Sequence, residues 1–413
     1  MRRSAPAILA LLLSSAGLGG CVYYNGMYNT KRLARSAQKA EREGRTFEAV
    51  NLWGQVVTRA ESLVVRHPDS KYVDEAFVIQ GIALANLGQC PNALGRLGRA
   101  AVLPEGSEVA EDAALALGRC QLDLGDPASA GVALARVIGS KDLGRRREAR
   151  LLHARTLRLT GRAEEALPLL DGFKGPRVEN ERLLALASAG RDAEALALAD
   201  SLLAAKDTTR QWDTLVVTLG RQRPAVASAL VDRLGAQPGV QPTVHARRLL
   251  EDGVRLAPVD SARAAGRLRE AAKVGAGTDG GDQAELRLIR DDLSRVRDVA
   301  GLARPGQALD AIARRRTLVS LEATQLRSLV RRIQSVADSS GPQVPQGDLH
   351  LFLAAESSRD SLAAPALAAS LFRRIVDQWP DSPYAPKALL AGRQLDPAWA
   401  DSALAILSER YGE

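Results

Sequence analysis

The chain has 413 residues, of which 4% are aromatic and 25% charged, and its formal net charge is +8. This length is enough for two or three ordinary domains or for one long array of repeats. So few aromatic residues argue against large aromatic cores and favour closely packed helices rich in Ala and Leu. The arginines are interspersed with Glu and Asp, which is typical of solvated helix surfaces and excludes a long basic tract.

The first 20 residues have the layout of an export signal. Arg2 and Arg3 give a positive start, residues 5–18 are apolar or small, and two glycines precede Cys21. A charged start, an apolar middle and a small-residue processing site mark a segment that is removed after export. The apolar part is about 14 residues long, whereas a transmembrane helix needs roughly 20. We therefore predict a signal peptide at residues 1–20.

The sequence Leu18-Gly19-Gly20-Cys21 resembles the lipobox of bacterial lipoproteins. The resemblance implies that Cys21 carries a diacylglycerol and an N-acyl chain, with residues 21–30 as a lipidated tether and no other cofactor. Two or more acyl chains anchor a protein stably. The absence of Asp after the cysteine implies, by the same resemblance, the periplasmic face of the outer membrane. The alternative is an ordinary signal peptide followed by an unmodified cysteine.

A pattern of Gly, four residues and Ala recurs between residues 44 and 195. Glycine can end a helix because it adopts a left-handed backbone, and a small residue often lies seven positions before it. Together these positions predict antiparallel helix pairs in close contact. The glycines and alanines are Gly44 with Ala49, Gly88 with Ala93, Gly125 with Ala130, Gly161 with Ala166, and Gly190 with Ala195; the earlier small residues are Ala37, Gly81, Gly118 and Ala154.

These residues resemble the tetratricopeptide repeat, a 34-residue helix-turn-helix unit. The resemblance implies an all-α fold, a tetratricopeptide-like α-solenoid of stacked antiparallel helix pairs, with repeats over residues 31–205. First helices line the concave side of such a solenoid. The family's offsets place Arg119, Asp123, Arg155, Arg158 and Asn180 on that side. We expect either a positive groove for an acidic or extended protein segment, or side chains that are solvated or salt-bridged.

Two cysteines remain after Cys21, namely Cys90 and Cys120. In an oxidising periplasm a pair of cysteines is a candidate disulfide. The repeat register places Cys90 at the start of a second helix and Cys120 late in the next first helix, on the same edge of neighbouring repeats. The two residues are therefore either a disulfide or two buried thiols.

Residues 206–345 lose the repeat pattern but still have helical patterns, for example at 249–274 and 283–300. No stretch alternates as a strand would. These residues are either divergent repeats or a separate helical domain. The glycine-rich run at 275–281 lacks the Lys-Ser/Thr of a phosphate-binding loop, and we interpret it as a linker.

The motif Pro-Asp-Ser-x-Tyr-x-x-x-Ala occurs twice, at residues 68–76 and 380–388. Proline can end the preceding helix, and Asp or Ser can cap the next one. We predict a C-terminal tetratricopeptide-like repeat at 346–413. The joint resembles repeats of two envelope families, the lipid-anchored repeat subunit of the outer-membrane β-barrel assembly machinery and the Tol–Pal-associated periplasmic repeat proteins. Those relatives are shorter, and the middle of this chain matches neither.

The sequence contains no recognisable catalytic or metal motif. The four histidines, His67, His153, His245 and His350, are scattered, and we expect structural roles and no metal. The basic clusters at 145–147 and 314–316 either touch anionic lipid head groups or form solvated helix surface.

We expect a protein that is not an enzyme and that binds protein partners of the bacterial envelope, with no nucleic acid and no small-molecule substrate. Such a scaffold or adaptor would act in envelope assembly or maintenance. The alternative is an accessory of a cell-wall or envelope enzyme with an unrecognised site in residues 206–345. A cleft holding paired carboxylates there would favour the alternative.

Overall fold

The computed structural model describes residues 26–205 and 211–412 of the chain. These residues contain 21 α-helices and no β-strand. Neighbouring helices pack in pairs, so the predicted all-α fold of stacked helix pairs is confirmed. The chain divides into two compact units, Met1–Arg223 (unit 1) and Pro224–Glu413 (unit 2).

The described part of unit 1 contains the first eleven helices. Within it each hairpin contacts the next, and the first helices α3, α5, α7 and α9 also contact one another in sequence. Helix α11 packs on α9, so this stacking extends past residue 205. The helices are α1 (Asn29–Arg42), α2 (Thr46–Arg66), α3 (Val73–Asn86), α4 (Cys90–Gly98), α5 (Glu108–Asp123), α6 (Pro127–Ala135), α7 (Leu143–Leu159), α8 (Ala163–Leu170), α9 (Pro176–Ser188), α10 (Asp192–Ala204) and α11 (Trp212–Gln222).

The five predicted turn glycines all have a left-handed backbone, with φ between 72° and 81°. At Gly125 the glycine N–H donates to the carbonyl of Leu122 at 3.1 Å, and the next N–H donates to Gln121 at 2.8 Å. These bonds satisfy carbonyls that the end of a helix leaves without partners. Pro127 then opens α6, where a missing N–H costs nothing. The sequence prediction of the turns is confirmed.

The small residues of the pattern lie where paired helices touch. All five alanines that follow the turns are at most 2% exposed. A Cβ atom on Gly118 would lie 2.5 Å from Cγ of Leu134, and one on Gly81 would lie 3.0 Å from the backbone nitrogen of Leu97. Small side chains therefore set the spacing between the helices of a pair.

Unit 2 contains the remaining ten helices, and consecutive helices pack on each other along it. Its core runs through α15 to α21 and includes the buried side chains of Phe372 and Trp399. The helices are α12 (Pro224–Gly235), α13 (Pro242–Leu256), α14 (Ser261–Val274), α15 (Asp279–Ser294), α16 (Ala303–Ala313), α17 (Ser320–Ser339), α18 (Gly347–Asp360), α19 (Pro365–Gln378), α20 (Ala385–Leu395) and α21 (Ala400–Tyr411).

The two Pro-Asp-Ser-x-Tyr joints have the same hydrogen bonds. The hydroxyl of Ser70 accepts from the N–H of Tyr72 at 3.3 Å, and that of Ser382 accepts from Tyr384 at 3.0 Å. In each joint the serine carbonyl accepts from the residue after the tyrosine at 3.0 Å. The serine therefore builds the turn, and the residue at the cap position of the next helix is the tyrosine, without a side-chain cap. The expected capping by Asp or Ser is wrong in this detail.

Two predictions for the middle of the chain are also wrong. The helix expected at 249–274 is two helices, because Pro258 disfavours helical backbone before it and the carboxylate of Asp260 caps α14 through the N–H of Arg263. The glycine run at 275–281 is a close-packed joint and not a linker. A Cβ atom on Gly281 would lie 2.0 Å from the carbonyl oxygen of Gly275.

Candidate partner-binding face

The first helices α1, α3, α5, α7 and α9 of unit 1 form one surface, which we call the first-helix face. Charged side chains at a common offset, 13 residues before each turn glycine, link these helices. Lys31 on α1 pairs with Glu75 on α3 at 2.6 Å, and Arg177 on α9 pairs with Glu148 on α7 at 2.9 Å. The repeat thus aligns charges of opposite sign across neighbouring hairpins.

Helices α1 and α5 contact each other across α3 on this face. Arg35 lies 3.7 Å from Glu108, and the amide of Gln38 donates to Asp112 at 3.2 Å. When the outer two of three neighbouring helices meet on one side, the row curves toward that side. The first-helix face is therefore concave at these three helices.

A cavity of about 210 Å³ opens on the first-helix face between α1, α3 and α5. Its wall combines apolar side chains of the hairpin core with charged side chains from three helices. The lining residues are Lys31, Ala34, Arg35, Gln38, Trp53, Glu75, Ile79, Ile82, Ser107, Glu108, Val109 and Asp112. The cavity offers an apolar floor and a polar rim, as binding sites for side chains of a partner usually do.

Arg145 on α7 is the electrostatic centre of the next step along the face. Its guanidinium lies 2.7 Å from Asp112, 3.1 Å from Glu108 and 3.5 Å from Glu111, all on α5. Burial raises the pKa of the Asp112 carboxyl above its usual value, and the hydrogen bond from Arg145 opposes this only in part. The single guanidinium shared among three carboxylates leaves the face acidic here.

Three of the predicted groove residues lie on first helices and have exposed or half-buried side chains. Arg119 is half-buried and donates to Asn86 at 3.1 Å, with Glu148 at 4.0 Å. Asp123 and Arg155 are exposed, and neither forms an ion pair with any residue that the structure describes. These three side chains are accessible to a partner.

The prediction is wrong for Arg158. Its side chain is 4% exposed and its Nε donates to Glu181 on α9 at 2.5 Å, so it joins two helices and is closed to a partner. Asn180 lies half-buried on α9. The expected positive character is also wrong, because Glu75, Glu108 and Asp112 lie on the same face. The offset of 13 residues before the turn glycine would have identified two of these carboxylates.

Cys90 and Cys120 form a disulfide in the structure, with their Cα atoms 5.1 Å apart. Both residues are buried. The bond joins the start of α4 to the last turns of α5, which belong to successive hairpins. Of the two alternatives left by the sequence, the structure contains the disulfide.

Unit 2 has two buried carboxylates, and each is fully engaged by its neighbours. Asp252 lies 2.8 Å from Arg255 and 3.0 Å from Arg267. Asp282 pairs with Arg315 and accepts from Thr317 at 3.0 Å. Carboxylates neutralised in this way tie helices together and are not held ready for acid–base chemistry.

The basic clusters follow the same rule, because Arg145 pairs on the first-helix face and Arg315 pairs with Asp282 and Glu285. Among the described residues no group of three His, Cys, Asp or Glu side chains is placed to hold a metal ion. None of the helices described here combines the length and apolar character needed to cross a bilayer. Cys21 and the predicted signal peptide lie outside the described residues.

No family model matches the chain, and no curated protein matches it. Solved structures do match, among them one titled "Structure of Naa15/Naa10 bound to HypK-THB". That match has 14% sequence identity, covers 92% of this chain and 68% of that chain, and has a TM-score of 0.25. Similarity at this level carries no argument, so the fold assignment depends on the helices, turns and contacts described above.

Proposed function

We propose that the chain is a scaffold, anchored by acyl chains on Cys21 to the periplasmic face of the bacterial outer membrane, that binds protein partners in envelope assembly or maintenance. It would act by binding and not by catalysis. The observation that carries this proposal is the first-helix face, where exposed charged side chains surround an open cavity on a concave surface.

The energetics of the face favour exchange with a partner. Arg35 and Glu108 have side chains that are 62% and 51% exposed, and exposed ion pairs contribute only about 0–1 kcal/mol. A partner segment that offers its own charged groups can replace such pairs at little cost. The buried pair of Arg158 and Glu181 cannot be exchanged, because separating it would leave a desolvated charge.

Two sequence features support the location. The lipobox at residues 18–21 is followed by a chain with only two further cysteines, and these are joined. Disulfides persist in oxidising compartments such as the periplasm. Mass spectrometry of the protein isolated from membranes should find diacylglycerol and an N-acyl chain on Cys21. An unmodified Cys21 would contradict the anchor.

The face itself is tested by photo-crosslinking in cells that make the full acylated chain. A photoreactive residue at Asp123 should cross-link to a discrete protein partner, whereas one at Val132, which is 67% exposed on the second helix α6, should not. The triple variant Arg35→Glu, Arg119→Glu, Arg155→Glu should lose the cross-link with unchanged helicity.

The matched control is Arg297→Glu, Arg304→Glu, Arg314→Glu, which makes the same change in charge at exposed residues of unit 2. It should keep the cross-link. If the first-helix variant cross-links as well as the wild type, or if Val132 gives the same product as Asp123, binding by this face is refuted.

A further inference from the structure

We infer that unit 1 rests on the anionic lipid surface of the membrane through four exposed cations at the end of the unit where the tether enters. We call Arg32, Arg59, Arg66 and Lys71 the tether-end patch. The inference rests on the proposed acylation of Cys21 and adds a second, electrostatic contact with the same membrane.

The structure places these cations around the start of the first hairpin. A Cβ atom on Gly26 would lie 2.9 Å from Cδ1 of Leu63 near the end of α2, so the chain enters the unit against Leu63. Arg59 and Arg66 lie four residues before and three after Leu63, on the same face of α2. Arg32 shares a cavity of about 300 Å³ with Arg59.

Lys71 belongs to the joint that directly follows α2. Its Nζ lies 5.2 Å from the ring centroid of Tyr72, whose N–H is held by the hydroxyl of Ser70. This geometry holds the ammonium group at the same end of the hairpin as Arg66. The patch therefore combines the start of α1, the end of α2 and the joint.

The tether is too short to hold this end far from the membrane. Five Cα–Cα steps separate Cys21 from Gly26, and even a fully extended chain spans at most about 18 Å over them. Tyr28, at the start of α1, is 42% exposed, and tyrosine favours the interface between lipid and water. Acylation of Cys21 thus brings the patch to the head groups.

The charges of the patch are available to lipid. All four side chains are exposed, and none pairs with a carboxylate in the described part of the chain, in contrast to Lys31, Arg35 and Arg145 on the first-helix face. The exposed carboxylates at this end are Glu61 and Asp69, so the cations are in excess. Each Lys or Arg near an anionic surface improves partitioning roughly fivefold, and one acyl anchor is strengthened by a polybasic partner.

The experiment compares two lysines in equivalent joints of one molecule. Lys387 lies 5.6 Å from the ring of Tyr384, as Lys71 does from Tyr72, and both lysines are exposed. The acylated full-length protein is placed on vesicles of phosphatidylcholine, or of phosphatidylcholine with about one third phosphatidylglycerol. Acetylation rates of the two lysines are measured by mass spectrometry.

On the anionic vesicles the rate at Lys71 relative to Lys387 should fall at least roughly fivefold, and 0.5 M salt should reverse the fall by screening. Arg32→Glu, Arg59→Glu, Arg66→Glu should abolish it, whereas the unit 2 control should keep it. An equal ratio on both vesicles, or a fall that survives the patch variant, overturns the inference. Flotation on pure phosphatidylcholine reports the anchor alone, so failure to float would overturn the anchor and the tether argument with it.

Discussion

The turns of unit 1 and the last repeat-like turn of unit 2 occupy the same place in their hairpins but differ in backbone. After Gly125 the next N–H donates to a carbonyl five residues back, whereas after Ala363 the next N–H, that of Ala364, donates to Ser358, six residues back, at 2.8 Å. Ala363 has a φ of 55°, a left-handed conformation that an alanine side chain disfavours. Ala368 follows five residues later and is fully buried, as Ala130 is after Gly125.

This difference shows what a repeat must keep and what it can lose. The buried alanine sets the approach of the two helices, and both units keep it. The glycine only lowers the cost of the turn, and unit 2 holds the turn without it because the surrounding helices pack around it. Loss of the glycine removes the signal by which the sequence reveals the repeat, although the hairpin remains.

The largest test of the contrast between the units is the disulfide, since unit 2 has no cysteine. Its loop separation of 30 residues corresponds to about 3–4 kcal/mol of stabilisation by the chain-entropy model. Cys90→Ala, Cys120→Ala should lower the free energy of unfolding of unit 1 by about this amount, measured by urea titration with hydrogen exchange on peptides of each unit. Protection of residues 242–411 should not change. Equal loss in both units would contradict their independence.

The second test concerns the close approach of helices in unit 1. Gly118→Ala should destabilise the protein by about 1–3 kcal/mol, because its Cβ would lie 2.5 Å from Cγ of the fully buried Leu134. Gly95→Ala is the matched control in α4, where an added Cβ meets nothing within 4 Å, and helix propensity should make it more stable by about 0.5–1 kcal/mol. Thermal unfolding followed by circular dichroism measures both. Similar effects of the two substitutions would refute the packing role of Gly118.

The smallest test exchanges the turn residues of the two units. Ala363→Gly should stabilise unit 2 by roughly 0.5–1 kcal/mol, since relief of about 1–2 kcal/mol of left-handed strain is partly offset by the greater freedom of glycine in the unfolded chain. Gly125→Ala should destabilise unit 1 by a similar amount. The two shifts in denaturation midpoint should therefore have opposite signs, and shifts of the same sign would show that the turns are not equivalent.

Local chemistry explains how far the sequence could be interpreted. Turn glycines, opening prolines and small helix positions act within one hairpin, so they were predicted and found in the same roles. The break of the helix at 257–260 was missed because the period of hydrophobic residues continues across it, although Pro258 and Asp260 carried the signal. The acidic part of the first-helix face was missed because only basic residues were traced through the repeat offsets.

The sequence by itself determined the class of fold, the positions of the hairpins of unit 1 and the candidate cysteine pair, because each depends on residues close together in the chain or on a regular offset. The tertiary structure decided which arginines are available. Arg155 is exposed, Arg119 is bound to two helices and Arg158 is buried against Glu181, although all three occupy first-helix positions. Availability depends on the carboxylates that neighbouring hairpins present, and these come from parts of the chain that meet only when the helices stack.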